Sequence, residues 1–134
     1  MHPLRIAMKI EREKFEQIVS EVIDALPTET AKRINNLAFF VEDFPNGEQL
    51  SNTARPPDNK YSLLGIYEGH VQSRRLNIGA VLPDRITLFR VPIMQSCSNM
   101  EELRRQIEDT LKHEIAHHFG SDEKGARKAG KKRA

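Results

Sequence analysis

A mixed domain of the α+β class is predicted by three observations. Amphipathic helical periodicity marks both ends of the chain, three strand-like apolar segments lie between them, and 134 residues suit a single hydrophobic core. The composition, 38% hydrophobic and 30% charged, describes one compact soluble unit. No window approaches the ~18 consecutive apolar residues that a membrane-spanning helix needs. The opening MHPLRIAMKIEREKFEQ meets charge before any signal-peptide core. A cytoplasmic location without membrane contact is therefore expected. Cys97 is the single cysteine, which excludes an intrachain disulfide and leaves any metal site to histidine and carboxylate. A buried, inert thiol is the expected role of Cys97.

Residues 11–26, EREKFEQIVSEVIDAL, place Phe15, Ile18, Val19, Val22, Ile23 and Leu26 three and four apart with acids in the first turn, which predicts a helix. Pro27 ends it. Thr28-Glu29-Thr30 can cap one further helical turn before Asn35-Asn36 breaks the pattern. LAFFVEDF, 37–44, predicts a strand between Asn-Asn and Pro-Asn-Gly. Residues 45–60 hold three prolines and little to bury, so they read as a long surface loop. YSLLGIY, 61–67, predicts the second strand, and RITLFRV, 85–91, the third, closed by Pro92. Ser98 with Glu101 forms a capping box, and Met100, Leu103, Ile107, Leu111 and Ile115 recur at helical spacing up to Gly120. One helix over about 99–119 is predicted.

Six basic residues, Lys124 to Arg133, follow the last acid, Glu123. They exceed the net charge of +2, so residues 1–123 form a mildly acidic body. Residues 124–134, KGARKAGKKRA, lack large apolar side chains and are expected to form a disordered basic tail.

The last helix carries His113-Glu114-Ile115-Ala116-His117, the H-E-x-x-H pattern. At about 100° per residue the two histidines fall within about 40° of each other, one turn apart, so both imidazoles can reach one ion. A zinc ion bound this way keeps a position open for water and lowers its pKa towards about 7. Glu114 is placed to take the water's proton and return it to a leaving amine. The apolar stripe clusters within roughly 60° of Met100 on the wheel, with His113 and His117 about 100–140° to one side. His118 falls at the stripe's centre, a packing position.

Gly120, three residues after His117 and followed by Ser121-Asp122-Glu123, extends the pattern to H-E-x-x-H-x-x-G-x-x-E. Such a glycine can end the helix in a left-handed turn and bring back a third ligand. The 17 residues after His117 are too few for a second packed helix carrying a distant glutamate. Glu123 ranks first as third ligand, at the place where a metzincin has its third histidine. Asp122, or His70, Glu68 or Asp84 from upstream, are the alternatives. Arg85, Tyr61 and Tyr67 are candidate oxyanion donors, although each also suits a surface or core position.

LAFFVEDFP, LLGIYEG, VLPDRITLFRVPI and TLKHEIAHHFGSDE together resemble the small bacterial zincin-like metallopeptidases. The resemblance covers most of the chain. It implies a minimal zincin-like domain over residues 1–123, its small sheet packed on the C-terminal active-site helix beside an N-terminal helix, with a sheet edge that accepts an extended peptide. It also implies one zinc ion on His113 and His117, Glu114 as general base, and an acidic third ligand after the glycine, commonly aspartate. The order Ser121-Asp122-Glu123 departs from the common spacing, and no methionine turn follows. The expected function is zinc-dependent hydrolysis of peptide bonds. A non-catalytic metal-binding interaction module is the alternative, and nucleic-acid contact through the tail a third reading. The acidic body and the lack of an aromatic stacking platform argue against the last.

Overall fold

A computed structural model describes residues 8–51, 53, 59–69 and 83–127, with side chains up to Gly120. The chain forms α1 (Arg12–Asp24), α2 (Thr28–Ala31), β1 (Leu37–Glu42), α3 (Gly47–Ser51), β2 (Gly65–Glu68), β3 (Asp84–Phe89), α4 (Arg90–Gln95) and α5 (Met100–Arg127). The strands make one sheet in the order β1-β3-β2, with β1 parallel and β2 antiparallel to the central β3. This is the expected α+β architecture.

Period-two alternation decides which strand residues face the helices. Phe39, Val41, Ile86, Leu88 and Tyr67 lie on the face that meets α1 and α5, with Phe39 and Tyr67 both in register with Ile86. The helices answer with Phe15, Ile18 and Val22 from α1 and Leu103, Ile107, Leu111 and Ile115 from α5, all buried. Each such side chain contributes about 1.5–3 kcal/mol on leaving water. Cys97 is buried in the same core, as expected. Met100 is exposed at the helix start and does not extend the stripe.

Local chemistry moved several boundaries. Asn99, not Ser98, caps α5: its Oδ1 accepts the Glu102 amide at 2.8 Å, while the Glu102 carboxylate reaches back to the Ser98 amide, also at 2.8 Å. The 45–60 segment is not all loop. Asn46 Oδ1 accepts the Gln49 amide at 2.7 Å and Gln49 Oε1 accepts the Asn46 amide at 3.0 Å, a reciprocal cap that starts α3. The second strand begins only at Gly65, because residues 59–62 form a turn closed by Ser62 N–H on the Asn59 carbonyl. β3 passes directly into α4, where Pro92 sits in the first turn and needs no amide partner.

The largest difference is at Gly120. No left-handed turn occurs there, and α5 continues through it to Arg127. The helix thus enters the segment expected as a tail, and residues 128–134 lie outside the described part. A left-handed turn does occur at Asn36, with φ 56°, a conformation asparagine tolerates better than most residues. It ends the connection after α2 and sends the chain into β1.

Gly65 lets α5 and the sheet approach closely. A Cβ there would lie 2.8 Å from Thr110 Cγ2, 3.2 Å from Leu88 Cδ2 and 3.2 Å from the Thr87 carbonyl oxygen. Gly65→Val is expected to cost about 1–3 kcal/mol through overpacking, read from urea unfolding. Adding Thr110→Ser should recover part of the loss, and an unchanged midpoint for Gly65→Val would contradict the close approach.

Candidate metal centre

The phase of α5 separates the three residues of the H-E-x-x-H motif by environment. His118, Leu111 and Ile115 face the core, Glu114 lies about 40° from His118, and His113 and His117 lie about 100–140° away. Burial follows this order: Glu114 is only 7% exposed, whereas both histidines are exposed. Nitrogens of His113 and His117 and a carboxylate oxygen of Glu114 all lie within 4.8 Å of one another. The two imidazoles stand 4.6 Å apart, centre to centre, inclined at 59°. Glu114 Oε1 is 3.3 Å from His117 Nδ1.

The Glu114 carboxyl is pushed up from 4.5 to about 7. Burial is the main cause, since it penalises the charged form. The positive potential of His113 and a hydrogen bond from the Tyr67 backbone N–H oppose the rise. Tyr67 belongs to β2, so this strand holds the motif's carboxyl by its main chain.

The other candidates fall into distinct places. Asp84 is buried at 2% exposure, accepting the Tyr67 hydroxyl at 2.6 Å and facing His118 Nδ1 at 3.0 Å. His118 is buried as its wheel position requires, and its Nε2 lies 3.0 Å from the Asn35 carbonyl oxygen. Glu68 lies on the sheet face opposite Tyr67, within 3.4 Å of Gln49 Nε2 and 4.0 Å of Arg85. Neither acid joins the histidine pair. Arg85 stacks over the Phe40 ring at 4.1 Å, and Tyr61 meets Phe44 edge-on. Tyr67 spends its hydroxyl on Asp84, so none of the three expected oxyanion donors is seen turned to the motif. His70 lies outside the described residues. The side chains of Asp122 and Glu123 are likewise not described, and a continuous α5 carries those positions about 8–9 Å along the axis from His117.

A cleft of about 320 Å³ opens beside the motif, lined by Leu63, Leu64 and Gly65 on one side and by Gln106, Asp109, Thr110, His113 and Glu114 on the other. Sequence reasoning passed over its wall. The signal was present, because Gln106, Asp109, Thr110 and His113 follow the spacing of a single helix face.

A small sheet is thus laid on a helix that presents two exposed histidines and a buried glutamate in an H-E-x-x-H motif. The family model described as Zincin-like metallopeptidase matches residues 34–130, and the chain belongs to that family. No curated protein matches the chain. The family implies peptide substrates and a metal, typically zinc. Among the described residues no helix is long and apolar enough to cross a membrane.

The raised Glu114 pKa has a definite sign in stability. The folded metal-free protein holds this proton more tightly than the unfolded chain, so the group's contribution is complete below pH 4.5 and is lost as pH rises to about 7. With chelator present, wild type is expected to lose about 3 kcal/mol relative to Glu114→Gln across that window. Urea unfolding of both proteins at a series of pH values checks this, and parallel curves would refute it.

Proposed function

We propose that the chain is a zinc-dependent peptidase that holds one metal ion on His113 and His117 and uses Glu114 as general base. The observation that carries the reading is the convergence of two imidazole nitrogens and a carboxylate within 4.8 Å at the end of a cleft. The donor set suits zinc, which accepts nitrogen and oxygen ligands. When bound, zinc supplies Lewis-acid polarisation of the scissile carbonyl and of a water molecule.

The remaining chemistry belongs to the chain. Glu114, with a proton affinity near neutrality, accepts a proton from water and delivers it to the departing amine. The Tyr67 amide and the surrounding core hold its carboxyl in place. β2 is an edge strand, paired only with β3 among the described residues, and an extended peptide adding to such an edge would run past Glu114. Cytoplasmic location and a bacterial source remain part of this reading.

Glu123, or Asp122, is proposed as third ligand. In a continuous helix neither position neighbours His117, so this role requires α5 to end at Gly120. Glycine weakens a helix there by about 1 kcal/mol relative to alanine. Apart from the helix's own backbone and its chain neighbours, no described atom lies within 4 Å of where a Cβ of residue 120 would stand, so alanine fits the helical form. Gly120→Ala is therefore expected to raise the stability of the metal-free protein and to weaken zinc binding about fivefold. Equal zinc affinity, measured by competition with a chromophoric chelator, would remove both acids from the ligand set.

The activity itself is tested with wild type and Glu114→Gln on a mixed peptide library, alongside measured zinc content. Stoichiometric zinc in both, with cleavage by wild type reduced about 100-fold or more in the variant, is expected for loss of a general base. Bound zinc with no cleavage by either protein would favour the non-catalytic metal-binding module instead.

A further inference from the structure

Along the cleft, the helix side presents Gln106, Asp109, Thr110 and His113, and the opposite wall is Leu63-Leu64-Gly65. The charges around this face of α5 are mostly committed. Arg105 pairs with Glu101 at 2.9 Å, Lys112 with Glu108 at 2.8 Å, and Arg104 with Glu21 of α1 at 2.6 Å. Gln106 donates to the Thr110 hydroxyl at 3.2 Å. Asp109 is exposed, and its carboxylate has no hydrogen-bond or ion-pair partner among the described residues. Among the described lining residues, Asp109 is the acid not already occupied by the proposed proton transfer at Glu114.

We propose that Asp109 is a specificity determinant, selecting a lysine or arginine side chain on the peptide close to the bond that is cut. This rests on the peptidase reading above. Asp109 precedes His113 by one helical turn, about 6 Å of rise. An extended peptide advances about 3.3 Å per residue, so a side chain one or two residues from the bond spans that separation. The leucines of the opposite wall accept the methylene stem of lysine or arginine while its charged head reaches the carboxylate. A glutamate or aspartate in the same place would meet like charge from Asp109. Because Asp109 is exposed, the ion pair is worth a discrimination of about fivefold.

The test uses zinc-loaded full-length Glu114→Gln protein, which retains the cleft, and Ala/Gly decapeptides with one lysine, norleucine or glutamate moved through successive positions. Fluorescence anisotropy reads affinity. At one position lysine is expected to bind about fivefold tighter than norleucine, falling with added salt. Asp109→Asn in the same background should abolish the difference, and Asp109→Lys should transfer the preference to glutamate. Equal affinity for lysine and norleucine at every position, or a preference that survives Asp109→Asn, would overturn the proposal. The two readings fail separately. A lysine preference in binding, with no peptide cut by zinc-loaded wild type, upholds Asp109 and rejects hydrolysis, whereas cleavage without charge preference does the reverse.

Discussion

A single buried carboxylate, that of Asp84 on the central strand, ties together the elements that carry the site. It accepts the Tyr67 hydroxyl from β2 and faces the His118 ring from α5, while its own amide donates to the Asn36 carbonyl. The Asn35 carbonyl can only accept, so His118 Nε2 carries a hydrogen there. Its Nδ1 faces the Asp84 carboxylate at 3.0 Å. Taking such groups out of water is costly, and removing one partner of a buried pair costs about 3–5 kcal/mol because the other is left unpaired. The arrangement is therefore a poor source of net stability and a strong source of position. It fixes the rotation of α5 against β3.

Rotation is what the motif needs. With His118 held towards the sheet, helical geometry alone turns Glu114 inward and His113 and His117 outward. Burial then raises the glutamate's proton affinity, and the histidines stay open to a ligand from solvent. Tyr67 serves both ends of this scheme, its hydroxyl on Asp84 and its backbone amide on Glu114. Displacing that one strand residue would disturb the anchor and the base together.

How much of this could be read in the sequence depended on the range of the interactions. The stripe of α5, the three strands and the H-E-x-x-H pair are periodic or contiguous, and they were legible. The wheel also placed His118 in the core. It could not name its partners, which lie 34 and 83 residues away. Other misses were local. The Asn46–Gln49 cap was hidden in a proline-rich stretch that read as loop, and Asn99 took the cap assigned to Ser98 because both residues can fill it. Gly120 was read as a stop because glycine favours the left-handed turn that ends many helices, yet a half-buried glycine is tolerated within a helix whose earlier turns are held by packing.

The position of the cleft follows from the order of the strands. β3 is central, with β1 parallel on one side and β2 antiparallel on the other, so among the described residues β2 is an edge of the sheet. An edge strand leaves half of its main-chain groups unpaired, and natural proteins usually cover or blunt such an edge. Here Gly65 brings the start of β2 against Thr110 of α5, closing the space beneath the strand while the cleft stays open alongside it. The same close approach puts the Tyr67 amide on Glu114. A larger residue at Gly65 would push strand and helix apart, lengthening that hydrogen bond and releasing Glu114 towards water. The absence of one methyl group thus links the packing of the core to the proton affinity of the buried glutamate.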